Sequence, residues 1–201
     1  MKAKKTVLCA GFALLIACYF AVAGVLTGQN TAPHEVQADT SAGFKEFSVR
    51  VQEYMKLRDS IEKKLPPLKS KEELPEMIIA HQQALARKIG EARPYAKPGD
   101  IFTHEAREAF RHEIHGVFQN PQTATATERA TTRQKDGVKP VRLRVNGIYP
   151  DSIAETTVPA TLLQKLPVLP DVLSYRIVGR HLVLVDKKAN LVVDLLHKAL
   201  P

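Results

Sequence analysis

Glu108, His112 and His115 follow one another at intervals of four and three residues, a spacing that places all three side chains on one face of a helix. Two imidazoles and a carboxylate form a donor set for a divalent transition metal. The helical phase favours a plainer role. Stepping about 100° per residue from Ala106, the apolar residues Ala106, Phe110, Ile114 and Val117 fall within an arc of ~80° from the start. Glu108, His115 and His112 fall at about 200°, 180° and 240°, with His104 at about 160°. The trio therefore lies on a charged face directed at water. His112-Glu113-Ile114-His115 also lacks the H-E-x-x-H spacing of a zinc protease, which needs its histidines one full turn apart.

A second set, Asp171, Asp186 and Asp194 with His181 and His197, offers ligands for a cation. Each aspartate also occurs where a turn or an element end uses its carboxylate for local hydrogen bonds. No serine lies in a G-x-S-x-G setting and no glycine-rich phosphate loop is present. No catalytic residue and no cofactor-binding residue emerges. The expectation is a binding protein rather than an enzyme, with metal binding as the alternative.

The amino-terminal 27 residues carry a different chemistry. Lys2, Lys4 and Lys5 precede an uncharged run from Thr6 to Thr27. A basic start followed by an apolar stretch reads as a signal peptide or a membrane anchor. Ala21-Val22-Ala23 and Val36-Gln37-Ala38 supply small-residue cleavage sites, and the lysines would stay on the cytoplasmic side. Leu15-Ile16-Ala17-Cys18 resembles a lipobox, making Cys18 a candidate lipidation site, although apolar residues follow it. Both cysteines, Cys9 and Cys18, fall in this segment, so a cleaved product would have neither disulfides nor thiolate chemistry. The expected location is the periplasm, the outer face of the inner membrane, or outside the cell.

The chain of 201 residues carries a net charge of +8. Cleavage after Ala38 would remove three lysines and Glu35, leaving +6. A basic exported protein favours anionic polymers or lipid. An envelope protein or an anionic polymer is therefore the expected partner, with the membrane added if the segment is uncleaved. Export, few aromatics and no recognition motif argue against nucleic acid.

Behind these residues the pattern predicts an α+β fold. Residues 28–42 are a polar spacer and 43–118 a helical hairpin or three-helix bundle. Phe44, Phe47, Val51, Tyr54, Arg58, Ile61 and Leu65 recur at alternating spacings of three and four, giving one helical stripe interrupted by Arg58. Ser41 is its expected N-cap, and Pro66-Pro67 ends it. A second helix starts at Lys71 or Pro75 behind a Ser70/Glu73 capping box and reaches Ala92, with Leu74, Ile78, Leu85, Ile89 and Ala92 as its stripe. Thr103 caps a third, reaching Phe118. Residues 119–140, rich in Thr, Ala and Gln, read as a flexible linker carrying part of a basic stretch that continues to Arg144. The small α+β region 141–201 begins with an alternating strand (Val141, Leu143 and Val145 against Arg142 and Arg144), followed by a short helix at Pro159. A β-hairpin then spans 174–186 around Gly179-Arg180, with glycine first as a type II′ turn requires. Leu191-Val192-Val193 adds a third strand, and Asp194 to Leu200 is expected to be helical. The hairpin, marginal alone, should pack on the short helix or on the bundle.

PYAKPGDIFTHEAREAFR (residues 94–111) and LPVLPDVLSYRIVGRHLVLVDKKANLVVDLL (residues 166–196) together resemble a family of uncharacterised exported bacterial proteins of the acidobacterial type. The resemblance covers most of residues 44–118 and 141–197. It implies export and assigns no activity. The hairpin stretch is also similar to a small β-module of some periplasmic proteins, one of which takes part in nickel and cobalt homeostasis.

Overall fold

The computed structural model describes residues 40–67, 74–122, 125, 142–150 and 158–201. The export segment, Cys18, the Ser70/Glu73 capping box and most of the expected linker lie outside the described residues. Among the described residues no helix is long and apolar enough to cross a membrane. The molecule is α+β: α1 (Thr40–Glu62), α2 (Pro75–Ala92), α3 (His104–Phe118) and the single turn α4 (Ala160–Leu163) accompany β1 (Leu173–Val178), β2 (His181–Asp186) and β3 (Leu191–Leu196). The strands form one antiparallel sheet in the order β1-β2-β3.

α1 buries Gly43, Phe47, Val51, Tyr54, Arg58 and Ile61, the expected stripe with its apparent interruption included. Ser41 lies inside the first turn, not at the cap. α3 crosses α1 closely because Gly43 carries no side chain: a Cβ there would stand 2.7 Å from the Ala109 Cβ and would strike the Glu105 carbonyl oxygen. Thr103 caps α3 by accepting from the Ala106 amide at 3.4 Å. α2 begins with Pro75 in its first turn, where a missing N–H costs nothing. Only Leu85, Ala86 and Ile89 of α2 are buried. Leu74 and Ile78, expected inward, are exposed, since the amino-terminal half of the helix stands off α1.

The sheet has two different faces. Leu173, Tyr175, Ile177, Leu182, Leu184, Leu191, Val193 and Leu196 join the helices in one core. Its centre is aromatic: Phe110 lies 4.8 Å from Phe47, 5.0 Å from Phe102 and 5.8 Å from Tyr175 between ring centroids, in the tilted and edge-on arrangements that ring quadrupoles prefer. On the other face Val183, Val185, Val192 and Leu195 meet Tyr149, Leu143 and Val145.

Two expectations for this region need correction. Residues 142–144 are not strand. Leu143 and Val145 do pack inward while Arg142 and Arg144 stay exposed, but pairing to β3 begins further on. The Asn146 amide donates to the Val192 carbonyl at 2.9 Å, the Tyr149 amide donates to the Asn190 carbonyl at 2.8 Å, and Ile148 bridges Leu191. The helix expected from Asp194 does not form either: β3 runs on to Leu196, and all six of its residues are buried. A strand covered on both faces reads as a continuous apolar run, which periodicity alone does not separate from a helix.

β3 also holds the one irregularity of the sheet. Leu184 pairs with Asp194 and Val185 with Val192, so Val193 is an extra residue. A bulge of this kind re-aims the side chains beyond it. Here Val193 and Asp194 both face the helices, and Leu195 and His197 turn to the outer face. The β1–β2 turn follows expectation, with Gly179 at φ +59° and Val178 opposite His181.

Candidate anion-binding groove

The helical-face trio stays on the surface. Glu108, His112 and His115 are exposed. Glu108 accepts from Arg111 Nη1 at 3.3 Å, and His115 Nδ1 lies 3.4 Å from Gln119 Nε2. Among the described residues no three His, Cys, Asp or Glu side chains are grouped to hold a metal ion.

The carboxyl-terminal acids do not converge on a cation site either, because two of them are consumed by the fold. Asp186 is sealed from water. Its Oδ2 accepts from Tyr54 Oη at 2.9 Å and Arg58 Nε at 2.7 Å, and its Oδ1 accepts from the amides of Lys188 and Ala189. Burial and the neighbouring Asp186 charge hold the Tyr54 hydroxyl well above its ordinary pKa. Burial works against the Arg58 charge, but hydrogen bonds and attraction from Glu62 and Asp186 outweigh it, and its pKa is raised. The hydrogen bond from Arg58 in turn lowers that of Glu62. Asp194, also sealed, receives the amides of Gly99, Ile101 and Phe102 at 2.9, 2.7 and 2.8 Å, and that of Leu195. Burial pushes its carboxyl up, while these four donors oppose the shift. The YAKPGDIF loop is thereby folded around an anion that the chain supplies itself, and Gly99 adopts φ +97° to allow it. Asp171 is exposed.

Among the described residues, three grooves stand out on the surface. One of about 480 Å³ lies between α1 and the 99–103 loop. It carries carboxylates of its own: Arg50 pairs with Glu46 and Glu53, and Arg93 sits 5.3 Å over the Tyr54 ring. A second, of about 490 Å³, is lined by Asp59, Glu62, Lys63, His81 and Lys188, and Glu62 is taken by Arg58 at 2.6 Å and Lys188 at 3.6 Å.

The third, of about 340 Å³, is different. Arg142, Arg144, His181 and His197 line it together with Leu143, Val178 and Leu195. No carboxylate is among these residues. The bulge in β3 and the β1–β2 turn build it, bringing His181 and His197 side by side at one end of the sheet. Their rings meet edge to face, 5.0 Å between centroids and at 89°. His181 Nδ1 accepts the Lys198 amide at 3.1 Å, so the proton of the neutral ring sits on Nε2. Burial lowers the His181 pKa, and the charges of His197, Arg180 and Lys198 lower it further. Arg111 Nη2 donates to the His197 carbonyl and Arg180 Nε to that of Leu200, fastening the last turn of the chain over this end of the sheet.

The alternation in residues 141–145 marked Arg142 and Arg144 as exposed. The two histidines, by contrast, read in the sequence as cation ligands beside the aspartates. The readable signal was the hairpin register: extending the pairing of Leu182 with Leu196 by one residue sets His181 against His197. Comparison with models of protein families, with curated proteins and with solved structures finds no match.

Proposed function

We propose that this chain is an exported cell-envelope protein that binds an anionic polymer without catalysis, using the groove lined by Arg142, Arg144, His181 and His197. The observation that carries this reading is a cationic groove with no acidic side chain among the described residues of its lining. The other two grooves both carry carboxylates in their lining. The basic balance of the chain and its lysine-led apolar amino terminus support export to a compartment rich in anionic polymers and lipid. The resemblance to exported bacterial proteins points the same way.

The test is binding of the full chain, held in neutral detergent, to labelled dextran sulfate with uncharged dextran as control. Binding to the sulfated polymer should weaken steeply with salt, because each neutralised anion releases a counterion. Charge reversal by Arg142→Glu with Arg144→Glu should weaken it at least about tenfold. Equal binding to both polymers, or indifference to charge reversal, would refute the proposal. Fractionation with intact-mass measurement tests export directly, and also distinguishes cleavage, anchoring and a lipid on Cys18.

A further inference from the structure

We infer that the unit recognised in this groove is a phosphate-type dianion, held by the Arg142 and Arg144 guanidiniums and the Nε2–H of His181, and gripped harder when His181 takes up a proton. The inference rests on the anion-binding reading above and names the ligand chemistry of that site.

The donor inventory comes first. Neither the Arg142 nor the Arg144 guanidinium is engaged by any described residue, and both line the groove. A guanidinium fork matches two oxygens of one anion at once. His181 adds a donor of fixed tautomer, because its other nitrogen is occupied by the Lys198 amide. Three such groups offer more donors than one carboxylate has lone pairs in reach, and more positive charge than one carboxylate balances. A phosphate monoester presents three acceptor oxygens and roughly −1.5 to −2 charge near neutrality.

Size and lining narrow the class further. A volume of about 340 Å³ lies at the small end of ligand sites, enough for a headgroup with a short carbon skeleton. Leu143, Val178 and Leu195 give that skeleton an apolar wall.

The electrostatic surroundings explain the proton dependence. The groups facing the histidine pair are Arg142 and Arg144 from the covering segment, Arg180 from the β1–β2 turn, Lys198 from the last turn and Arg111 from α3, with Arg176 further along the same face of β1. Among the described residues these groups are cationic, Arg111 being paired with an acid (Glu108), so the empty groove resists protonating His181. A bound dianion reverses that field. Binding and proton uptake are therefore linked, each favouring the other.

Calorimetric titration of the full chain in neutral detergent tests this, using glycerol 3-phosphate and sulfate at about pH 7.5 and about pH 6, across the histidine range. Sulfate keeps its two charges at both values, so any tightening with it comes from the protein. Sulfate should bind at least about threefold tighter at the lower pH, and buffers of different ionisation enthalpy should report proton uptake. Arg142→Ala with Arg144→Ala should weaken both ligands at least about tenfold. His181→Asn keeps an acceptor for the Lys198 amide and should reduce the proton uptake. Presenting the same headgroup as phosphatidic acid in mixed micelles identifies the source: binding no tighter than the soluble ester indicates a soluble or polymeric phosphate, and much tighter binding that also needs Arg142 and Arg144 indicates lipid. Dextran sulfate binding without phosphate binding or proton uptake would overturn this inference and leave the broader reading standing. Loss of both would overturn both.

Discussion

Arg58 Nε on α1 donates to Asp186 Oδ2 at the end of β2 across 2.7 Å, with both side chains closed to water. This pair joins the first helix to the sheet over a separation of 128 residues. Breaking one side of a buried pair strands the other charge, which costs about 3–5 kcal/mol. Arg58→Met should therefore lower the urea midpoint strongly. Arg58→Met combined with Asp186→Asn should cost less than the two single changes summed, because the second removes the stranded charge. Strict additivity would show that the two residues do not act as a unit.

Asp194 poses a geometric test. Its two carboxylate oxygens receive only N–H donors, so Asp194→Asn must turn an amide N–H₂ toward some of them. The unsatisfied donors should cost about 1–3 kcal/mol. Amide exchange at Ile101 and Phe102 should quicken more than exchange in the middle of β2, where the ladder is unaffected.

Gly43→Ala sets two effects against each other. In a helix interior the change normally stabilises by about 0.5–1 kcal/mol. Here the new methyl meets the Ala109 Cβ at 2.7 Å and the backbone of α3, and overpacking costs about 1–3 kcal/mol. Net destabilisation is expected in thermal unfolding. A gain in stability would mean that α3 moves away freely.

His181 should make stability depend on pH. Its pKa is lowered in the folded protein, so below the ordinary histidine value of about 6.5 the unfolded chain takes up a proton that the folded chain resists. Stability should fall as pH drops from about 7.5 through 6.5, and His181→Asn should flatten that slope. Melting temperatures across this range check both. A wild-type curve rising toward acid would contradict the arrangement at Nδ1.

Much of the helical part was legible in the sequence because one stripe of side chains carries most of the information. Phe47, Val51, Tyr54 and Ile61 announce the buried face of α1, and Thr103 announces the start of α3. Arg58 looked like a defect in that stripe, since its acceptor lies more than a hundred residues away and local periodicity does not report it. Asp186 was legible as a turn residue, and half of its hydrogen bonds are indeed to its own turn; the other half belong to α1. β3 was misread beyond Val193 because LVVDLL has no alternation to read. The groove was hidden for a related reason. Its arginines and histidines are far apart in the chain and meet only through strand register.

The extra residue Val193 in β3 has a consequence for how the chain tolerates change. It is the residue the ladder passes over, so deleting it would make Val185–Val192 and Leu184–Asp194 consecutive pairs, leaving Asp194, Leu195 and His197 on their present faces at the loss of one buried side chain. A substitution at Val193 would alter one contact. Inserting one residue after Asp194 would instead exchange the two faces, sending Leu195 toward the helices and Leu196 outward, so neighbouring positions of this short strand tolerate changes of length very differently.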